Sequence, residues 1–155
     1  MFIENVAADD IPKRFHCEPG PNAMLIQIAD PASWFPTPPV PFKETHRFEF
    51  LDVEINDEVL DEAMRCSQEQ ADELVRLLKH AHKNRMNVIV HCFAGMCRSG
   101  AVCEIGVMMG FADTERFRQP NLLVKHRMMK ALGWNFDADE TTTPWEAITQ
   151  WEGDI

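Results

Sequence analysis

The stretch "MNVIVHCFAGMCRSGAVCEIGVMMGF", residues 86–111, constrains the fold of this chain more than any other. Its first five residues are a short apolar run of the kind a central parallel strand needs, because both faces of such a strand are covered. "SGAVCEIGVMMGF" is apolar on nearly all sides, which predicts a buried helix. His91 and Cys92 follow the strand directly, and Arg98 stands six positions past Cys92. A strand, a short loop and a helix start in that order aim backbone N–H groups and the positive end of a helix dipole at one point. That point attracts an anion.

The same field favours a thiolate, and cysteines at such positions have pKa values of roughly 3.5–7.5 instead of about 8.5. Phe93, Ala94, Gly95, Met96 and Cys97 have the length to wrap a tetrahedral anion, and Arg98 would return across the loop with a planar two-point hydrogen bond to two of its oxygens. Lysine has no such fork. Ser99 is placed to donate a hydrogen bond to the sulfur of Cys92 when that sulfur becomes a leaving group. These roles add up to a two-step phosphoryl transfer. Loop amides and Arg98 already neutralise the charge on the transferring group, so no metal or other cofactor is called for.

The rest of the chain supplies a matching framework. "AMLIQIAD" (23–30) reads as a strand, and the five prolines of 30–42 make the segment after it a loop. "HRFEFLDVEI" (46–55) reads as a second strand that ends in the polar "NDE". Ser67 and Gln70 form a capping box ahead of a helix whose apolar side is Ala71, Leu74, Val75, Leu78 and Ala81. A later helix in "NLLVKHRMMKAL" has Pro120 in its first turn and ends at Gly133, and "TTTPWEAITQW" suggests a last helix begun near Pro144. Strand and helix patterns alternate without internal repeats. The prediction is one α/β domain over 1–155 with a central, mostly parallel sheet flanked by helices and the Cys-x5-Arg loop between strand and helix. The segment 1–20 and the tail 150–155 are left open to irregular structure.

Composition narrows the partners. At 155 residues the chain is long enough for one core without disulfides or a structural metal. A net charge of −10 disfavours nucleic acid. No apolar stretch approaches a membrane span and the start lacks a secretory leader, so the expectation is a cytoplasmic protein without membrane contact. Five cysteines (Cys17, Cys66, Cys92, Cys97, Cys103) lack paired C-x-x-C spacing, which points to reduced thiols. The neighbours His16 and Cys17, and His80 with His82, lack the two spaced pairs of a zinc site and read as surface.

"HCFAGMCRSG" resembles the His-Cys-x5-Arg-Ser/Thr signature of the cysteine-dependent protein phosphatases, in the branch of the small dual-specificity enzymes. The resemblance runs over approximately residues 46–132 and is sharp in the signature. It implies a phosphorylated protein or peptide substrate bearing phosphotyrosine, with phosphoserine and phosphothreonine as further substrates, and a cysteinyl-phosphate on Cys92. It also implies an upstream aspartate as general acid and then base. "VEINDE" resembles the family's acid loop, which selects Asp57; Asp61 is the reserve, and Asp52 falls within the strand-like run. It further implies that His91 supports the loop from behind and that Asn121, in "QPNLLVKHRMMKAL", braces it.

Some residues depart from the pattern. The chain has no tyrosine, so the substrate loop of the larger tyrosine-specific enzymes has no counterpart. Trp34 and Phe35 offer an aromatic wall for a phosphotyrosine ring or, alternatively, anchors for the proline-rich loop. The absence of lysine between Cys92 and Arg98 makes phosphoinositide phosphatases a poorer match. Cys97 adds the Cys-x4-Cys-Arg-Ser spacing of the low-molecular-weight tyrosine phosphatases, which suggests a redox partner for Cys92; the alternative is a small loop-filling residue. Cys103 reads as a core thiol. Competing functions are a phosphate-recognising interaction module with little turnover, and a rhodanese-like or arsenate-reducing thiol enzyme.

Overall fold

The computed structural model describes residues 1–13, 15 and 17–134. Among these residues five strands and three α-helices run in the order β1 (Phe2–Ala7), β2 (Ala23–Ala29), β3 (Glu44–Glu49), α1 (Gln68–Lys83), β4 (Asn87–Cys92), α2 (Arg98–Met108), β5 (Ala112–Asp113) and α3 (Leu122–Ala131). The strands form one sheet, ordered β3-β2-β4-β1-β5, in which every pairing is parallel. The α/β class predicted from the alternating patterns is the class observed.

Strand alternation divides the core. Ile3, Met24, Ile26, Ile28, Val88 and Val90 face one side and pack with buried residues of all three helices, among them Leu74, Leu78, Val102, Ile105, Val124 and Met128. Val6, Leu25 and Ile89 face the other side, where Ile11 and Phe15 cover them. Cys103 is wholly buried, and burial pushes its thiol up to about 12. It stays protonated as part of the core.

Three predicted elements need correction. The segment 1–20, left open to irregular structure, contains β1, an inner strand between β4 and β5. Glu4 and Asn5 broke its apolar pattern, yet both are buried. The strand predicted over 46–55 runs Glu44–Glu49. Beyond Phe50 the backbone finds its partners outside the sheet, with Leu51 N–H donating to the Met64 carbonyl and the Val53 carbonyl accepting from Asn121 Nδ2, so Val53 and Ile55 alternate in a loop. Pro120 lies outside the first turn of α3, because Asn121 is the N-cap and its side chain accepts from Val124 N–H.

Other signals stand as predicted. Ser67 and Gln70 close the capping box of α1 in both directions, and Gly133 takes φ +70° just past α3. β4 runs further than "MNVIV", through His91 to Cys92 itself. Among the described residues no helix is long and apolar enough to cross a membrane. The helix predicted from Pro144 and the tail 150–155 lie outside the described residues.

Candidate active site

In an open parallel sheet, ligands collect at the carboxyl ends of the strands. Here four such ends converge: Ala7 on β1, Ala29 on β2 with Asp30 just past it, Phe50 just past β3, and Cys92 at the end of β4. Cys92 is 2% exposed, and its Sγ lies 3.1 Å from Ser99 Oγ. Ser99 is held there because α2 begins at Arg98, so its hydroxyl sits inside the first helical turn.

Four carbonyls of the loop joining Cys92 to Arg98 are engaged from outside. Phe93 O accepts from Ala8 N–H at 3.1 Å, Gly95 O from Asn5 Nδ2 at 2.7 Å, Met96 O from Gln119 N–H at 2.9 Å, and Cys97 O from Asn121 N–H at 2.9 Å. Carbonyls turned outward leave the amide N–H groups to the inner side of the loop, which makes an anion-binding concavity. Gly95 is required on two grounds. Its φ is +75°, and a Cβ there would stand 2.4 Å from Ala7 N and from Val6 C.

Arg98 is buried, and its guanidinium is oriented from one side. Nη1 donates to Asp30 Oδ1 at 2.6 Å and to Phe50 O at 2.8 Å. Nε is buried without a hydrogen-bond partner among the described residues. With Nη1 occupied, the Nε–Nη2 edge is the face left for a planar, two-point bond to an oxyanion. Asp30 was missed in the sequence because it reads as a solvated residue at a strand end; the carboxyl end of a parallel strand is the signal that singles it out.

The remaining predicted residues separate into two groups. Asn121 joins the site, donating from Nδ2 to Asp52 Oδ1 at 2.8 Å and to Val53 O at 3.1 Å while its backbone holds Cys97 O. Asp52, Cys97 and Asn121 line one open depression. Asp57 is engaged within its own loop: its Oδ2 accepts from Glu54 N–H at 2.7 Å, and its carbonyl accepts from Arg65. Asp61 caps a 3-10 turn by accepting from Ala63 N–H at 3.0 Å. Asp52 falls within the strand-like run of the sequence, but β3 ends before it, and its carboxylate meets Asn121, whose backbone holds Cys97 O. Buried Arg65, unremarked in the sequence, ties Glu54 O to Asp57 O and so shapes this segment.

His91 is buried, and burial pushes its imidazole down to about 4, so it is neutral at physiological pH. Its Nδ1 lies 3.5 Å from Cys92 O, at the outer limit of a hydrogen bond. The Cys97 thiol is raised, first by burial and then by the charge of nearby Asp52, so it is protonated at neutral pH. Phe35 is half-buried, with Arg47 stacked 4.9 Å over its ring, and anchors the proline-rich loop. Trp34 is 56% exposed and Phe93 71% exposed, and both border a small depression that also includes Asp30 and His91.

Comparison with known proteins bears on the half of the chain that carries this loop. Residues 63–134, just under half of the sequence, match the protein-tyrosine phosphatase family. A crystal structure of a mouse protein assigned as a dual specificity phosphatase, complexed with zinc tungstate, overlays at a TM-score of 0.47 with 16% identity over 71% of this chain and 69% of that one. No curated protein matches the sequence.

Proposed function

We propose, from the protein-tyrosine phosphatase match of residues 63–134, that this chain is a metal-independent phosphatase that hydrolyses phosphomonoesters on proteins through a cysteinyl-phosphate on Cys92. The observation that carries this reading is the pairing of Cys92 Sγ with Ser99 Oγ beneath a loop whose carbonyls are turned outward. Arg98 grips two phosphoryl oxygens through its free edge while loop amides take the third. The sulfur of Cys92 attacks phosphorus, the phosphorus–oxygen bond to the leaving group breaks, and a carboxylic acid gives that oxygen its proton. Water then attacks the cysteinyl-phosphate, the same carboxylate accepts a proton, and Ser99 donates a hydrogen bond to the departing thiolate.

The resemblance named Asp57 as the acid, whereas the contacts favour Asp52. Asp52 is bonded to Asn121, which braces the anion loop, and lines one depression with Cys97 of that loop, whereas Asp57 is occupied with its own turn. We therefore assign the acid–base role to Asp52 with Asp57 as the alternative. Exposed Trp34 and Phe93 beside Asp30 suit an aryl ester, which supports phosphotyrosine as the preferred substrate.

Hydrolysis of a phosphotyrosyl peptide with excess chelator tests the reading. Wild type should turn over and Cys92→Ser should not. Activity that survives Cys92→Ser, or that chelator removes, overturns it.

A further inference from the structure

The central carbonyl of the anion loop is held by a residue on a strand that the signature does not touch. Asn5 lies on β1, ninety positions from Gly95, and is 1% exposed. Its Nδ2 donates twice, to Gly95 O at 2.7 Å and to Phe117 O at 2.9 Å. Two carbonyl acceptors dictate which end of the carboxamide faces them, since only the NH2 group offers two donors.

Consider the peptide unit between Gly95 and Met96. Its carbonyl and its N–H point to opposite sides, so whatever fixes the carbonyl fixes the N–H. Glycine at φ +75° has no side chain to resist rotation of this unit, so the orientation needs an external partner. A rotated unit would turn a carbonyl oxygen toward the bound anion and remove an N–H from it. The second bond, to Phe117 O, ties the same amide to the segment that supplies Gln119 N–H to Met96 O and Asn121 N–H to Cys97 O. One buried side chain thereby sets the carbonyl of Gly95 and registers the segment holding the next two.

We propose that Asn5 is a positioning residue of the anion loop, fixing the Gly95–Met96 peptide so that its N–H faces the oxyanion. This rests on the phosphatase reading above, in that it presumes an oxyanion bound over Cys92. It places β1 within the functional machinery.

The test measures alkylation of Cys92 by iodoacetamide across pH, with and without tungstate, a tetrahedral oxyanion. The proteins are wild type, Asn5→Leu, and Ile3→Ala as a control for lost packing on the same strand. In Asn5→Leu the tungstate concentration that protects Cys92 should rise about tenfold, and the pH midpoint of alkylation should move upward by about half a unit. Ile3→Ala should melt at lower temperature with both readouts unchanged. If Asn5→Leu does not fold, Asn5→Ser, whose hydroxyl can serve only one carbonyl, is read in the same way. A folded Asn5 variant with wild-type protection and pH midpoint overturns the role of Asn5 alone. Wild-type protein that tungstate does not protect overturns this role and the phosphatase reading together.

Discussion

The Arg98 guanidinium and the Asp30 carboxylate meet at 2.6 Å, one at the start of α2 and the other just past the end of β2. Phe50 O takes the second proton of the same nitrogen, so the guanidinium is oriented before any anion arrives. Orientation made in advance lowers the cost of binding. Asp30→Ala should reduce kcat/KM for a phosphotyrosyl peptide about tenfold, and Asp30→Asn, which keeps an acceptor without the charge, by less. Steady-state kinetics with unchanged thermal melting would establish this, and equal losses in both variants would mean that charge alone matters.

Replacing Gly95 should be severe. Gly95→Ala combines a left-handed backbone with a Cβ 2.4 Å from the β1 backbone, which cannot give way as a side chain would. Loss of oxyanion protection of Cys92 is expected, with a stability decrease on the order of 1–3 kcal/mol by denaturant titration. Near-normal activity would show that the loop adopts another shape.

Asp52 and Asp57 make different predictions. Asp52→Asn should lower kcat by about 10²–10⁴ for an ester with a poor leaving group, and much less for an activated aryl phosphate that departs without a proton. Asp57→Asn should leave both rates within a few-fold, because an amide oxygen still accepts from Glu54 N–H. The reverse pattern in single-turnover kinetics would move the acid to Asp57.

His91 ties stability to pH. Its folded-state value of about 4 lies below the ordinary 6.5, so the unfolded chain takes up the proton first as pH falls. The stabilisation is complete above pH 6.5 and is lost progressively toward pH 4, amounting to on the order of 3 kcal/mol for the full range. NMR of the imidazole should show His91 still neutral at pH 5.5, and the fall in urea midpoint between pH 7 and pH 4.5 should be smaller in His91→Gln.

For Cys97, peroxide would convert the Cys92 thiolate to a sulfenic acid, and condensation with the Cys97 thiol would form a disulfide and release water. Asp52, which lines one depression with Cys97, is placed to accept its proton. Wild type should regain activity with a dithiol after peroxide treatment, and Cys97→Ser should regain a small fraction. Equal recovery would reduce Cys97 to a loop filler.

What the sequence conveyed and what it concealed divide along physical lines. The placement of Cys92, Arg98 and Ser99 was legible because it depends on fixed spacing within one strand–loop–helix unit, and the parallel sheet because "VIV" and "AMLIQIA" are almost wholly apolar, Gln27 being the one polar residue in them. β1 was concealed because a buried carboxamide and carboxylate imitate surface residues. Asp30 was concealed because its partner lies 68 positions away. The loop from Phe50 to Asp57 imitated a strand because Val53 and Ile55 alternate by accident of where α3 and Arg65 meet it.

The pairing of β1 bears on how the protein comes to be made. Ile3 sits opposite Val88 on one side and Asp113 on the other, so β1 waits for neighbours 85 and 110 positions further along the chain. Contacts so distant along the chain form slowly. Because β1 carries Asn5 and Ala7 and leads into Ala8, the loop around Cys92 should be among the last parts to take shape, and a newly made chain would hold Cys92 for a time before the loop around it is set.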